Sequence, residues 1–179
     1  MRTAVMKRLG KAKEDQKGFT LIELLAVIVI LAVIAAIAIP LIGSIINKSK
    51  KDSDVATARQ IYDASRLYIT SQMDGDPTGG GNGIVLPIVE GTGDWVGHGL
   101  QKEGYLDNNL VLPSTKGKIV GGKVVYKTDG TLAYVFIDSD SGSTAGKDDI
   151  YVSGADVLKG EGSATGAAPT TDPTAPATP

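Results

Sequence analysis

Leu24 to Ile46 is a run of 23 residues without a charged side chain, and this limits what the chain can fold into more than any other feature. A helix needs about 20 predominantly apolar residues to cross the hydrocarbon core of a bilayer. Residues 19 to 46 are apolar almost throughout, whereas the following residues are polar and rich in glycine. Such a chain is a membrane-type segment joined to a soluble domain, and its 179 residues allow one modest domain with appendages.

Charge is divided in the same way. Residues 1–18 carry Arg2, Lys7, Arg8, Lys11, Lys13 and Lys17 against Glu14 and Asp15. Without them the chain keeps 12 Lys and Arg against 18 Asp and Glu, a net charge of −6. Basic residues ahead of an apolar span stay on the cytoplasmic side, so the domain behind it is expected to face outward. The acidic remainder argues against direct nucleic-acid binding, which depends on neutralising phosphates with Lys and Arg. No cysteine is present, which removes disulfides, thiol catalysis and thiolate metal sites together.

The helix is expected to continue past the apolar run. Val55, Ala58, Tyr62, Ser65 and Ile69 recur at three- and four-residue steps, with Ile61 and Tyr68 beside them. Lys51, Asp52, Asp54, Arg59, Asp63 and Arg66 are assigned to other faces, and Asp74-Gly75-Asp76-Pro77 is the stop signal. One helix of about fifty residues results, far longer than an ordinary globular helix. Beyond it, Ile84 to Val89 is a candidate strand, and Leu100 to Leu106 a helical turn ending near Gly104. Lys118–Lys127 and Thr131–Asp138 flank Thr128-Asp129-Gly130 as a hairpin, and Ile150–Ser153 is a further strand. Past Glu161 no apolar side chain larger than alanine occurs except proline, so residues 161–179 are expected to be disordered or extended. The partition is 1–18 leader, 19–46 apolar helix, 47–73 amphipathic continuation, 74–160 ectodomain and 161–179 tail.

Lys17-Gly18-Phe19-Thr20-Leu21-Ile22-Glu23-Leu24-Leu25, followed by apolar residues as far as Ile39, closely resembles the start of the type IV pilins and pseudopilins. The resemblance implies an α+β fold, with the long helix packed on a small antiparallel sheet. It implies cleavage between Gly18 and Phe19 by a prepilin peptidase, N-methylation of Phe19, and retention of the leader inside the cell. Glu23 and Pro40 also match that pattern. Glu23 would pair with the Phe19 ammonium of a neighbouring subunit, setting an axial offset while the apolar residues supply adhesion. Pro40, with Gly43 near it, would mark where the helix can loosen. The implied partners are further copies of the chain, the peptidase and methyltransferase, an inner-membrane assembly platform and a separate motor ATPase. The implied location is the cell membrane before assembly and an extracellular pilus afterwards, serving adhesion, aggregation or twitching motility.

Alternatives remain open at this point. A basic start with an apolar run also describes a secretory signal, and Ala36-Ile37-Ala38 offers a small-x-small cleavage site. The run is too long for a usual signal core, and a glutamate five residues after the glycine has no purpose there. A pseudopilin of a secretion or DNA-uptake machine shares the expected fold, and a singly anchored or secreted surface-binding protein is the rival of another class. No catalytic constellation is visible, so an enzyme is not expected, and no cofactor is implied. His98 sits between two glycines as a loop residue, and Trp95 is expected to anchor a loop on the sheet. Asp138, Asp140 and Asp149 echo part of a calcium loop. The echo is weak, because Ser143 occupies the sharp-turn glycine position and the last carboxylate is not Glu.

Overall fold

The computed structural model describes residues 19–91, 96–140, 149–160 and 162. Helix α1 spans Leu21–Gln72, a 52-residue element with Pro40 inside it. Four strands follow: β1 (Ile84–Pro87), β2 (Lys118–Tyr126), β3 (Leu132–Asp140) and β4 (Ile150–Ser153). They form one antiparallel sheet in the order β1-β2-β3-β4. A short helix α2 (Gly154–Lys159) comes after β4. The fold is α+β, as expected. By its contacts the chain divides between Ile45 and Ile46 into two units.

In the first unit the helix has no core to join. Every large hydrophobic side chain from Phe19 to Ile46 is at least 50% exposed. Among the described residues this is the helix long and apolar enough to cross a membrane, and none of that stretch is buried. A helix apolar on all sides is stable only inside a membrane or a protein bundle.

In the second unit α1 becomes one-sided. Asp54, Val55, Thr57, Ala58, Ile61, Ala64, Ser65, Tyr68 and Ile69 are buried; Val55, Ala58, Ile61, Ser65, Tyr68 and Ile69 belong to the stripe that the three- and four-residue spacing predicts, whereas Tyr62 is only half-buried. They join a core with Ile84, Leu86, Ile88, Leu100, Leu112, Ile119, Val124, Val135, Ile137 and Val152. Strand β3 contributes Leu132, Val135 and Ile137 to this core, and Tyr134 and Ser139 are also buried along it. The Ser65 and Tyr126 hydroxyls share a buried hydrogen bond of 2.6 Å, tying helix to sheet.

Asp54 corrects the expectation that it occupies a solvent face: it is 2% exposed, and its carboxylate accepts the Ser114 N–H at 3.1 Å. Burial pushes its carboxyl above the usual aspartate range, and the hydrogen bond from Ser114 partly opposes this. Leu100 to Leu106 forms the expected helical turn ending at Gly104, with the Glu103 N–H on the Gly99 carbonyl at 2.9 Å. The Tyr105 N–H reaches the Leu100 carbonyl at 2.9 Å and the Gly104 N–H reaches Gln101 at 3.2 Å, with Gly104 left-handed at φ 81°. The hairpin forms where expected, with the Asp129 carboxylate accepting both the N–H and the hydroxyl of Thr131.

Candidate functional site

The site expected from the sequence lies at the start of α1, and its local geometry follows from two side chains. Thr20 precedes the helix, and Glu23 is its third residue. The Thr20 N–H and hydroxyl both donate to Glu23 Oε2 at 2.8 Å. In return the Glu23 N–H donates to Thr20 Oγ1 at 3.3 Å. This reciprocal pair satisfies backbone donors that a helix start otherwise leaves unpaired. It also fixes where the carboxylate stands: at the positive end of the helix dipole, immediately ahead of the exposed apolar surface. Phe19, the first described residue, is 79% exposed beside it. Gly18 lies outside the described residues.

Thr20 is the residue that sequence reasoning missed. Its signal was available, since threonine, two intervening residues and glutamate before an apolar run form a capping box. The bond through the Thr20 N–H does not depend on a free terminus, so it is compatible with either side of a cut at Gly18.

Pro40 lies within α1, and the helix runs through it without interruption. A proline has no N–H, so the Ala36 carbonyl loses its usual partner there. The Ser44 hydroxyl donates to the Leu41 carbonyl at 2.8 Å one turn later. Gly43 has nothing near the place where a Cβ would be.

The weak calcium set is not brought together into a site by the described residues. Asp138 and Asp140 lie on β3, and Asp149 immediately precedes β4. Residues 141–148 between them lie outside the described residues, and among the described ones no three acidic or histidine side chains are grouped to hold a metal ion. Trp95 and residues 163–179 likewise lie outside the description. His98 is a loop residue whose Nδ1 is 2.9 Å from Glu103 Oε1, and Glu90 accepts the Gly97 N–H at 3.1 Å.

Residues 14–39 match the family model of the prokaryotic N-terminal methylation motif. The matched stretch contains Gly18, Phe19, Thr20 and Glu23 and most of the exposed apolar helix. It supports a type IV pilin-like prepilin signal at the head of a helix long and apolar enough to cross a membrane. Such a signal implies processing by a prepilin peptidase. No curated protein and no solved structure matches the chain.

Proposed function

We propose that this chain is a structural subunit of a type IV pilus, made with residues 1–18 as a leader and cut between Gly18 and Phe19. In this reading Phe19 becomes an N-methylated terminus, residues 19–46 form the filament core, and residues 47–73 carry the ectodomain (74–160) and tail (161–179). The observation that supports it most is the helix start. A carboxylate is fixed at the head of an apolar helical stretch, residues 19–46, whose large apolar side chains are all at least half exposed. Such a surface calls for a membrane or for copies of itself.

Glu23 is suited to act between subunits. Both Thr20 bonds go to Oε2, and the described residues supply none to Oε1. A neighbour's Phe19 ammonium would pair there as the two helices enter an apolar environment, where an unpaired charge is strongly disfavoured. The pair would set the stagger between subunits, while the apolar side chains supply non-directional contact. Pro40 is assigned the place where the helix adjusts on packing. Motor ATPase, assembly platform and methyltransferase are separate partners in this scheme.

Mass spectrometry of the N-terminal peptide, from protein recovered at the cell surface, tests the proposal. The expected chain begins at Phe19 and is heavier by one methyl group. A chain beginning at Ile39 would mean an ordinary signal peptide and overturn it. Glu23→Ala is expected to leave the precursor present and abolish surface polymers; unchanged polymers would remove Glu23 from assembly.

A further inference from the structure

The first turn of α1 beyond the apolar run carries Lys48, Lys50 and Lys51. All three are exposed, and among the described residues none of their ammonium groups forms an ion pair or a hydrogen bond. Lys48 and Lys51, three residues apart, border one open hollow with Asp52 and Gly162. Residues three apart on a helix surface are neighbours, and like charges there repel unless a counter-charge is near. Asp52 is the sole acidic residue from 47 to 53, so this stretch has a net charge of +2. The chain after it has the opposite character: residues 54–179 carry 9 Lys and Arg against 16 Asp and Glu.

Their place along the helix selects the counter-charge. Residues 24–46 cover about 35 Å at 1.5 Å per residue, against about 30 Å for the hydrocarbon core of a bilayer and about 40–45 Å with its headgroups. When that run spans a membrane, the turn from Lys48 to Lys51 falls at the headgroup layer on the domain's side, within reach of the long lysine stems. At about 100° per residue, the three side chains fan over about 160° of the helix surface. A protein partner approaches from one direction, whereas a headgroup layer surrounds the helix and can meet all three. We propose that Lys48, Lys50 and Lys51 bind anionic phospholipid headgroups in the leaflet on the domain's side of the membrane.

The chemistry fits a phosphodiester with a net negative charge. Each ammonium is a compact charge with three rotatable donors, which suits phosphate oxygens arriving from different directions. Phosphatidylglycerol leaves that phosphate charge uncompensated, whereas phosphatidylcholine carries its own cation against it. Cations beyond the span work against an outward-facing domain, because basic residues favour the cytoplasmic side. Residues 1–18, with six basic side chains against two acidic ones, outweigh the +2 of residues 47–53 and keep the orientation. This inference rests on the membrane-spanning reading of residues 24–46 and not on polymerisation.

The test reconstitutes the full chain in vesicles of phosphatidylcholine alone and in vesicles with an equal part of phosphatidylglycerol. Amines are acetylated briefly, and each lysine is read separately by peptide mass spectrometry. Lys48, Lys50 and Lys51 are expected to react at least about threefold more slowly in the anionic vesicles, since one lysine at such a surface gains up to about fivefold in association. Lys127, in the β2–β3 turn, serves as the unmoved reference, and the protection should fade in molar salt. Equal rates in the two vesicles would overturn the proposal. So would protection that appears only as protein density rises, which would assign the lysines to an acidic surface of a second copy. Carbonate extraction keeps the two readings apart. A chain washed off the vesicles removes the membrane reading and this one with it; a retained chain with unprotected lysines overturns this one alone.

Discussion

A carboxylate taken out of water is unfavourable unless hydrogen bonds replace its hydration, and Asp54 receives only part of that replacement. It is 2% exposed and accepts the Ser114 N–H at 3.1 Å. Burial raises its pKa above the unfolded value, so the sign of its effect on stability is determined. The folded state holds the proton more tightly, and the contribution is fully present below the unfolded pKa and lost as pH rises through the folded one. Asp76 and Asp129 act in the opposite sense. Their carboxylates accept hydrogen bonds from Thr78 and Gly80 and from Thr131, which lower their pKa values, so their contribution fades as pH falls. Asp54→Asn isolates the first effect, because an amide oxygen still accepts from Ser114 and carries no charge. The stability of this variant relative to wild type is expected to improve as pH rises from about 4 and then level off, read from denaturant unfolding across pH. A difference that does not change with pH would show that Asp54 keeps its ordinary pKa. Asp54→Leu removes the acceptor as well and is expected to cost about 1–3 kcal/mol at neutral pH.

At the scale of elements, the sheet depends on an irregularity between β2 and β3. The register slips between Ile119 and Gly121, and Gly122 is left-handed with φ 118°. A Cβ on Gly122 would collide with the Phe136 carbonyl oxygen and press on Ile88. Gly122→Ala is therefore expected to destabilise the domain by at least about 1–3 kcal/mol, the range for a strained backbone residue, with the clash in addition. Loss of amide-exchange protection along β2 and β3 would register it; a variant as stable as wild type would mean that the bulge relaxes freely. Elements of this kind also show what could be read in advance. The helix and its buried stripe were legible because Val55, Ala58, Ile61 and Ile69 repeat with the helical period. The β2–β3 hairpin was legible because Asp129-Gly130 has the chemistry of a turn. Periodicity identifies a face but not what covers it, so Asp54 was assigned to solvent, its partner Ser114 lying 60 residues away. Helix α2 was missed because six residues are too few to show a period. Its ends were nonetheless written in local chemistry: Ser153 accepts the Asp156 N–H, and Gly160 is left-handed with its N–H on the Asp156 carbonyl. At the candidate site Glu23 and Phe19 were read through family resemblance, whereas Thr20 needed the capping geometry to be noticed.

For the molecule as a whole, the two units differ in what folding requires of each. The buried hydrophobic core begins at Val55 and draws nothing from the helix before it. The exposed apolar side chains run from Phe19 to Ile46, and their need is for a membrane or an assembly. A chain of residues 47–179 should therefore be soluble without detergent, monomeric, and cooperative in unfolding, while residues 19–179 should require detergent or polymerise. The shortened helix is expected to fray to about Asp52, because Lys48, Lys50 and Lys51 then lie at a helix N-terminus, where positive charge is unfavourable. Val55 and the residues after it remain packed, which holds the rest of the helix in place. Ile61, fully buried in this core, supplies the quantitative test. Ile61→Ala should cost about 2–5 kcal/mol from lost burial and the cavity left behind. The loss should agree between the short chain and the detergent-solubilised long one, since independent sites add to within about 0.5 kcal/mol. Equal losses would establish that the ectodomain carries its own stability and that the apolar helix is reserved for association. A short chain lacking amide protection at Ile61, Val124 and Val135 would instead make the apolar helix part of the fold.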